Sequence, residues 1–295
     1  MKATPHLGVL ACALFVCSAA TADDKTLDAR NITTRATTTT SITQSAVTGA
    51  GASGDSKQAL DIGAVVGKGS ARDVSATANV SAVVTQTSTG RSEQTLAIGS
   101  VDADLSARNV TVNGTALGAI TQSADTRIVQ NLGIGAVLGT VDARNITATG
   151  TVAALITQSG KGNNTNDSQT LLVGAVKDVN GRNLNVSGNV AGAITQIATS
   201  GANGSNRQEI LVGGIDNSDV RDVTTNATVV GLITQISGTG LSGNNRQAMN
   251  IGGVRNASVR DVNTFVLVGG AVTQIGPVGG DNNRQTLNLG GVEGR

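Results

Sequence analysis

The carboxylate pairs Asp102 with Asp104 and Asp216 with Asp219 are the groups in this chain most readily imagined doing acid–base chemistry. Paired carboxylates serve as general acid and base only when something holds a substrate between them. A sugar-cleaving site of that kind would also want clustered Arg or Lys and aromatic platforms, and the chain has no Trp, no Tyr and two Phe, Phe15 and Phe265. The acid pairs therefore read as solvated loop charges. Residues 63–69 (GAVVGKG) are one residue short of a phosphate loop, and Gly69 stands where a magnesium-binding Ser or Thr belongs. Gly133, Gly135 and Gly139 miss a dinucleotide fingerprint by one residue, as 39 glycines will do by chance. Gly279-Gly280-Asp281 does not recur, so calcium nonapeptides are absent. The only His (His6) and both Cys (Cys12, Cys17) lie in the first 22 residues, which leaves the rest without a zinc site or a Cys/His nucleophile. The expectation is a non-enzyme with no catalytic residue, metal or cofactor.

Those first 22 residues have the form of a secretory signal peptide: Lys2, an apolar stretch from about Leu7 to Val16, then Ala20-Thr21-Ala22. Acylation of Cys12 or Cys17 is the alternative use of the same segment. Removal of the leader takes away Lys2 and no acid, leaving 20 basic against 20 acidic side chains. Such a balance gives no electrostatic attraction to nucleic acid or anionic lipid. No later stretch is long and apolar enough for a membrane helix, and a membrane barrel would want aromatic girdles that are missing. The expected location is secreted or at the cell surface, with residues 23–295 as one repeat domain.

Two segments alternate seven times in that domain. Segment B runs from an Arg to a Thr-Gln pair: Arg30 to Gln44, Arg72 to Gln86, Arg108 to Gln122, Arg144 to Gln158, Arg182 to Gln196, Arg221 to Gln235 and Arg260 to Gln274. Segment A opens with Gln58, Gln94, Gln130, Gln169, Gln208, Gln247 or Gln285 and has Gly five residues on, from Gly63 to Gly290. In the third B, positions Val110, Val112, Gly114, Ala116, Gly118 and Ile120 are apolar or small while Asn109, Thr111, Asn113 and Thr115 are polar. A period of two over that length predicts extended chain, not helix. Leu117, Leu155, Val230 and Leu232 make the second row apolar too, which predicts that the end of each B is covered on both faces. In A the apolar phase slips by one at the Gly, the mark of a bulge or corner.

Extra residues accumulate only between the Gln of B and the Gln of A, in Gly-, Asn- and Ser-rich stretches such as 160–166 and 238–245. Loops confined to one side are what a stack of repeats tolerates, so the fold class is an all-β solenoid of about seven units, each 36–42 residues long. Equivalent residues of stacked rungs lie about 4.8 Å apart, and buried amides at that spacing can bond along the stack. The B column (Gln44, Gln86, Gln122, Gln158, Gln196, Gln235, Gln274) and the A column would then be structural ladders; strand-end Gln at the surface is the competing reading. Aligned Arg residues should repel. Neighbouring Asp73, Asn109, Asp222 and Asp261 would offset this, or the rungs would be staggered.

Gln at both strand ends, Gly- and Asn-rich turns and the lack of Cys resemble the curlin-type secreted subunits of extracellular amyloid-like fibres. The present unit is longer than theirs and lacks the Gln-x-Gly-x-x-Asn core. What the resemblance implies is a structural protein of a fibre or biofilm matrix, whose partner is itself, with a secretion or surface-anchoring factor conceivable besides. A surface-displayed adhesin or ligand-binding solenoid is the alternative, and the run Thr37 to Thr40 raises ice or mineral binding without persisting in later units. An unmatched B at the front and an unmatched A at the back predict head-to-tail self-assembly. Leu287, Leu289 and Val292 keep the core pattern there, and Phe265 and Leu267 occupy outer positions that are polar elsewhere. Phe265 is read either as a local packing variant or as part of an interface. Thr34, Thr38 and Thr40, taken as inward, allow the contrary reading of an N-terminal cap.

Overall fold

The structure is a computed structural model and describes residues 26–47, 56–162, 167–200, 204–238, 244–276 and 282–294. The predicted leader, residues 1–22, lies outside them, as do most of the inserted connections. Among the described residues the regular elements are strands with no helix, in a parallel β-solenoid of about six turns at a spacing of about 38 residues. Seven copies of a segment define six steps from one copy to the next, which reconciles the seven units of the sequence with this count.

Each turn gives one long strand, or two shorter ones in line, to each of two parallel sheets. In mid-stack, Val101–Ala116 lies in the first sheet, Ile120–Ile134 in the second, and Val137–Val152 returns to the first directly beside Val101–Ala116. The pairing is in register throughout this region, Val110 with Ile146, Gln122 with Gln158 and Leu132 with Leu171. A β-branched or aliphatic residue at every second position fits such a pleated, one-sided surface.

Three corners shape the cross-section. Along Val101–Ala116 the inward residues are Val101, Ala103 and Leu105, then Val110, Val112 and Ala116, so the phase changes at Arg108-Asn109. Later copies of this corner place the Asx in the left-handed region, Asn183 at φ 53°, Asp222 at φ 53° and Asp261 at φ 55°, which short polar side chains tolerate. The second corner, residues 117–119, carries the chain from one sheet to the other. Segment B is thus not one continuous strand: it bends after its Arg and changes sheets before its Gln. The third corner is the A-segment glycine, with φ from 51° at Gly174 to 65° at Gly290.

These corners give the section two lobes. Ala116, Ile120, Leu132 and Ile134 belong to the core of one lobe, and Val101, Leu105, Val110 and Val112 to that of the other. Where the lobes meet, backbone touches backbone: a Cβ on Gly135 would lie 1.7 Å from the Thr149 carbonyl oxygen. Outside that pinch the chain is covered as well, since residues 96–101 are all buried, and Ala136, Leu172, Ala175 and Leu211 form a third small cluster there.

Two further expectations are corrected. The ends of the B segments are not covered on both faces: Leu117, Leu155, Val230 and Leu232 are 49–59% exposed at the second corner, because the chain is turning there and no neighbouring layer lies over it. Thr40 is likewise at this exposed corner, whereas Thr34 and Thr38 are half-buried on the inward row.

Candidate assembly surface

Both glutamine columns lie inside one lobe and face each other. From Gln86 to Gln274 each B-column Nε2 donates to the Oε1 of the Gln one rung earlier at 2.7–2.9 Å, starting with Gln86 to Gln44 and ending with Gln274 to Gln235. The A column does the same from Gln94 to Gln285 at 2.6–3.0 Å. The amides from Gln44 to Gln274 and from Gln58 to Gln247 also donate to a carbonyl across the lobe, as Gln122 does to Asn131 at 3.3 Å and Gln130 to Ser159 at 3.2 Å. Gln86 through Gln235 and Gln94 through Gln247 are buried, so surface solvation does not account for them.

The two columns share one polarity, and it surfaces at the ends of the stack. On the first rung, among the described residues, Gln44 and Gln58 donate only to backbone, to Ala59 at 3.1 Å and Thr87 at 3.1 Å, which leaves each amide a second N–H on the outer side of the stack. On the last rung no described residue donates to the Oε1 of Gln274 or Gln285. One end offers amide donors and the other offers acceptors.

The candidate assembly residues divide into two groups at that last rung. Leu287 and Leu289 continue the inward columns of Met249 and Ile251, and Val292 pairs with Val254, so these three are exposed core at an open end. Phe265 and Leu267 point outward from the first sheet and are 61% and 52% exposed. The short strand Val292–Gly294 pairs only with Val254 and Ala257, leaving the outer edge of residues 258–268 without a strand partner among the described residues. At the opposite end, residues 28–38 occupy the same register columns.

The arginines are not staggered. Arg182 pairs with Arg221 and Arg221 with Arg260, and the row is tolerated because it projects from a corner into solvent. A column of Asx beside it bonds along the stack, Asn145 to Asn109 at 2.6 Å and Asn183 to Asn145 at 3.0 Å, and Arg260 lies 3.4 Å from Asp261.

Solvated loop charges do not describe the acid pairs, all of which belong to strands or their edges. Asp216 is buried at the outer side of the pinch, where Arg255 donates to it at 3.0 and 3.1 Å and to Glu209 at 2.7 Å, with Lys177 bonded to Glu209. Burial alone would push the Asp216 carboxyl up; the Arg255 hydrogen bonds and the Arg255 and Lys177 charges outweigh it and hold it at about 2. In an earlier rung Asp102 is raised by burial first, then by Asp61 and Asp104, and Asp61 is itself raised by burial. Asp104 is exposed, 3.7 Å from Lys68, and Asp219 is exposed at a strand start. Gly63 and Gly135, set aside above as chance matches to nucleotide loops, are corner glycines. Among the described residues no cluster of His, Cys, Asp or Glu could hold a metal, and no helix is long and apolar enough to cross a membrane.

Sequence reading missed a third polar column. Asn206 donates to Asn245 at 3.1 Å and Asn245 to Asn283 at 2.8 Å, all two residues before an A-segment Gln, and Asn245 is buried although it falls inside a stretch read as loop. The repeated Asn-Arg-Gln of the last three A segments was the available signal.

No protein-family model matches the chain, and no curated protein or solved structure matches it either.

Proposed function

We propose that this protein is the subunit of a secreted fibre or matrix, growing by head-to-tail stacking of solenoids in register, as its likeness to curlin-type subunits implies. The observation that carries this reading is the common polarity of the two Gln columns, with donors at the first rung and acceptors at the last. Stacked copies would pass Gln44 onto Gln274 and Gln58 onto Gln285 with the bonding that every internal rung already has. The apolar columns continue too: Ile42 falls on the column of Val272, Leu60 on that of Leu287 and Ile62 on that of Leu289. An open parallel edge with matching core is the arrangement that solenoids otherwise blunt with polar caps. The extracellular setting rests on the leader-like first 22 residues.

The test is incubation of purified protein at rising concentration, followed by sedimentation and negative-stain microscopy. Unbranched filaments of constant width above a critical concentration are the expected result; a monomer at all concentrations overturns the reading. One observation favours the alternative of a surface-displayed binding solenoid: Val83, Leu117, Leu155, Val230 and Leu232 form an exposed apolar edge that stands out from the polar faces. A persistent monomer that captures a partner through that edge would select it.

A further inference from the structure

The outer column of the first sheet that runs through Arg35, Thr77, Asn113, Thr149, Ser187, Asn226 and Phe265 is neutral and short-chained everywhere except at its two ends. Those ends carry an exposed guanidinium and the exposed, only described aromatic ring. Resting on the stacking proposed above, we infer that Arg35 of one copy lies against the face of Phe265 of the copy before it, and that this contact selects a second copy of this chain in one orientation. Neighbouring strands are about 4.8 Å apart, which brings side chains of one column within the roughly 6 Å over which a cation is drawn to an aromatic face. The next outward column repeats the complementarity with Thr37 and Leu267, so the Thr methyl meets an otherwise exposed isobutyl group.

The contact also discriminates between partners. Two first-rung edges brought together would offer Arg35 no ring, and both would present amide donors from Gln44 and Gln58. Two last-rung edges would leave both Phe265 rings without a cation and set acceptor against acceptor. Only head-to-tail order satisfies the amides and the ring at one junction. Phe265 and Arg35 make no contribution to either core, so changes at these positions leave the subunit's melting temperature unchanged.

The experiment is seeded elongation with preformed filaments, using the wild type, Phe265→Leu, Phe265→Trp, Arg35→Gln and the double variant Arg35→Gln/Phe265→Leu. Phe265→Leu keeps apolar bulk and removes the ring; Arg35→Gln keeps length and removes the charge. Each should raise the critical concentration roughly two- to fivefold. Phe265→Trp should not, and the double variant should be no worse than the poorer single. A second measurement places Cys at both positions, with Cys12 and Cys17 changed to Ser, because column neighbours fall within disulfide range. Oxidation of those filaments should give a covalent ladder of multimers under denaturing conditions. Wild-type protein that never elongates overturns the stacking itself. Filaments whose growth ignores Phe265→Leu and Arg35→Gln, or whose paired Cys give no multimers, leave stacking in place and overturn the Arg35–Phe265 contact.

Discussion

Gly114 and Gly135 meet backbone to backbone where the two lobes join: a Cβ on Gly114 would sit 2.2 Å from the Gly135 nitrogen and 2.3 Å from the Ile98 carbonyl oxygen. One rung later the same contact links Gly150 with Gly174. The pinch lets one strand serve two cores, and at Gly114 and Gly150 it has no room for a side chain, although Ala78 and Ala227 occupy the same column in other rungs.

Gly114→Ala should therefore lower stability by several kcal/mol, in the range of severe backbone and overpacking effects. The same change at Gly269, where nothing lies within 4 Å of an added Cβ, should cost far less. Thermal melts followed by circular dichroism check this, and equal melting temperatures would refute the two-lobed section.

Replacing Gln130 with Leu strands three partners at once: the Oε1 of Gln94, an N–H of Gln169 and the Ser159 carbonyl. With buried groups left unsatisfied at about 1–3 kcal/mol each, the loss should be on the order of 3 kcal/mol. Thr111→Leu, on the exposed outer row, should stay within about 0.5 kcal/mol of wild type. Urea unfolding of the two variants decides between a ladder that matters and one that does not.

Removing Arg255 leaves Asp216 and Glu209 buried without their main cation, so Arg255→Leu should destabilise at neutral pH by about 3–5 kcal/mol. Asp216 is held near 2 against an ordinary 3.8. A lowered carboxyl contributes stability above its unfolded value and loses it as pH falls through the folded one. Wild type should then exceed Asp216→Asn by on the order of 2 kcal/mol at pH 6, with the gap closing between about pH 4 and 2. Asp102 has the opposite sign, being raised, so its charged form opposes folding at neutral pH and Asp102→Asn should raise the melting temperature there. Melts across pH 2–7 test both; parallel curves for Asp216→Asn and wild type would contradict the assignment.

The solenoid was legible because period two, the glycine five residues after each A-segment Gln and the paired Gln columns all repeat in step. The lobed section was not. Its Arg-Asx corner falls where segment B was taken to begin, so the change of phase from Leu105 to Val110 straddled the boundary between two repeats. The Lys177–Glu209–Asp216–Arg255 cluster was not legible, although Asp216 had drawn notice: Lys177, Asp216 and Arg255 share one column whose signs alternate from rung to rung, and Glu209 joins them from a column filled elsewhere by neutral residues such as Thr170 and Ala248, so only the register brings the four together. Phe265 drew notice by composition and by an outer position that is polar in other units, whereas Arg35 emerged only once the register had placed both in one column.

The central claim is that copies continue one another's rungs without a break. Cryo-electron microscopy of the filaments tests it most directly. With seven Gln per column and about 4.8 Å per rung, each subunit should add an axial rise of roughly 34 Å, and the density should show two unbroken columns of amide side chains crossing every junction. Filaments with a 4.8 Å strand spacing but a different subunit rise, or with columns interrupted or offset at the junction, would contradict it.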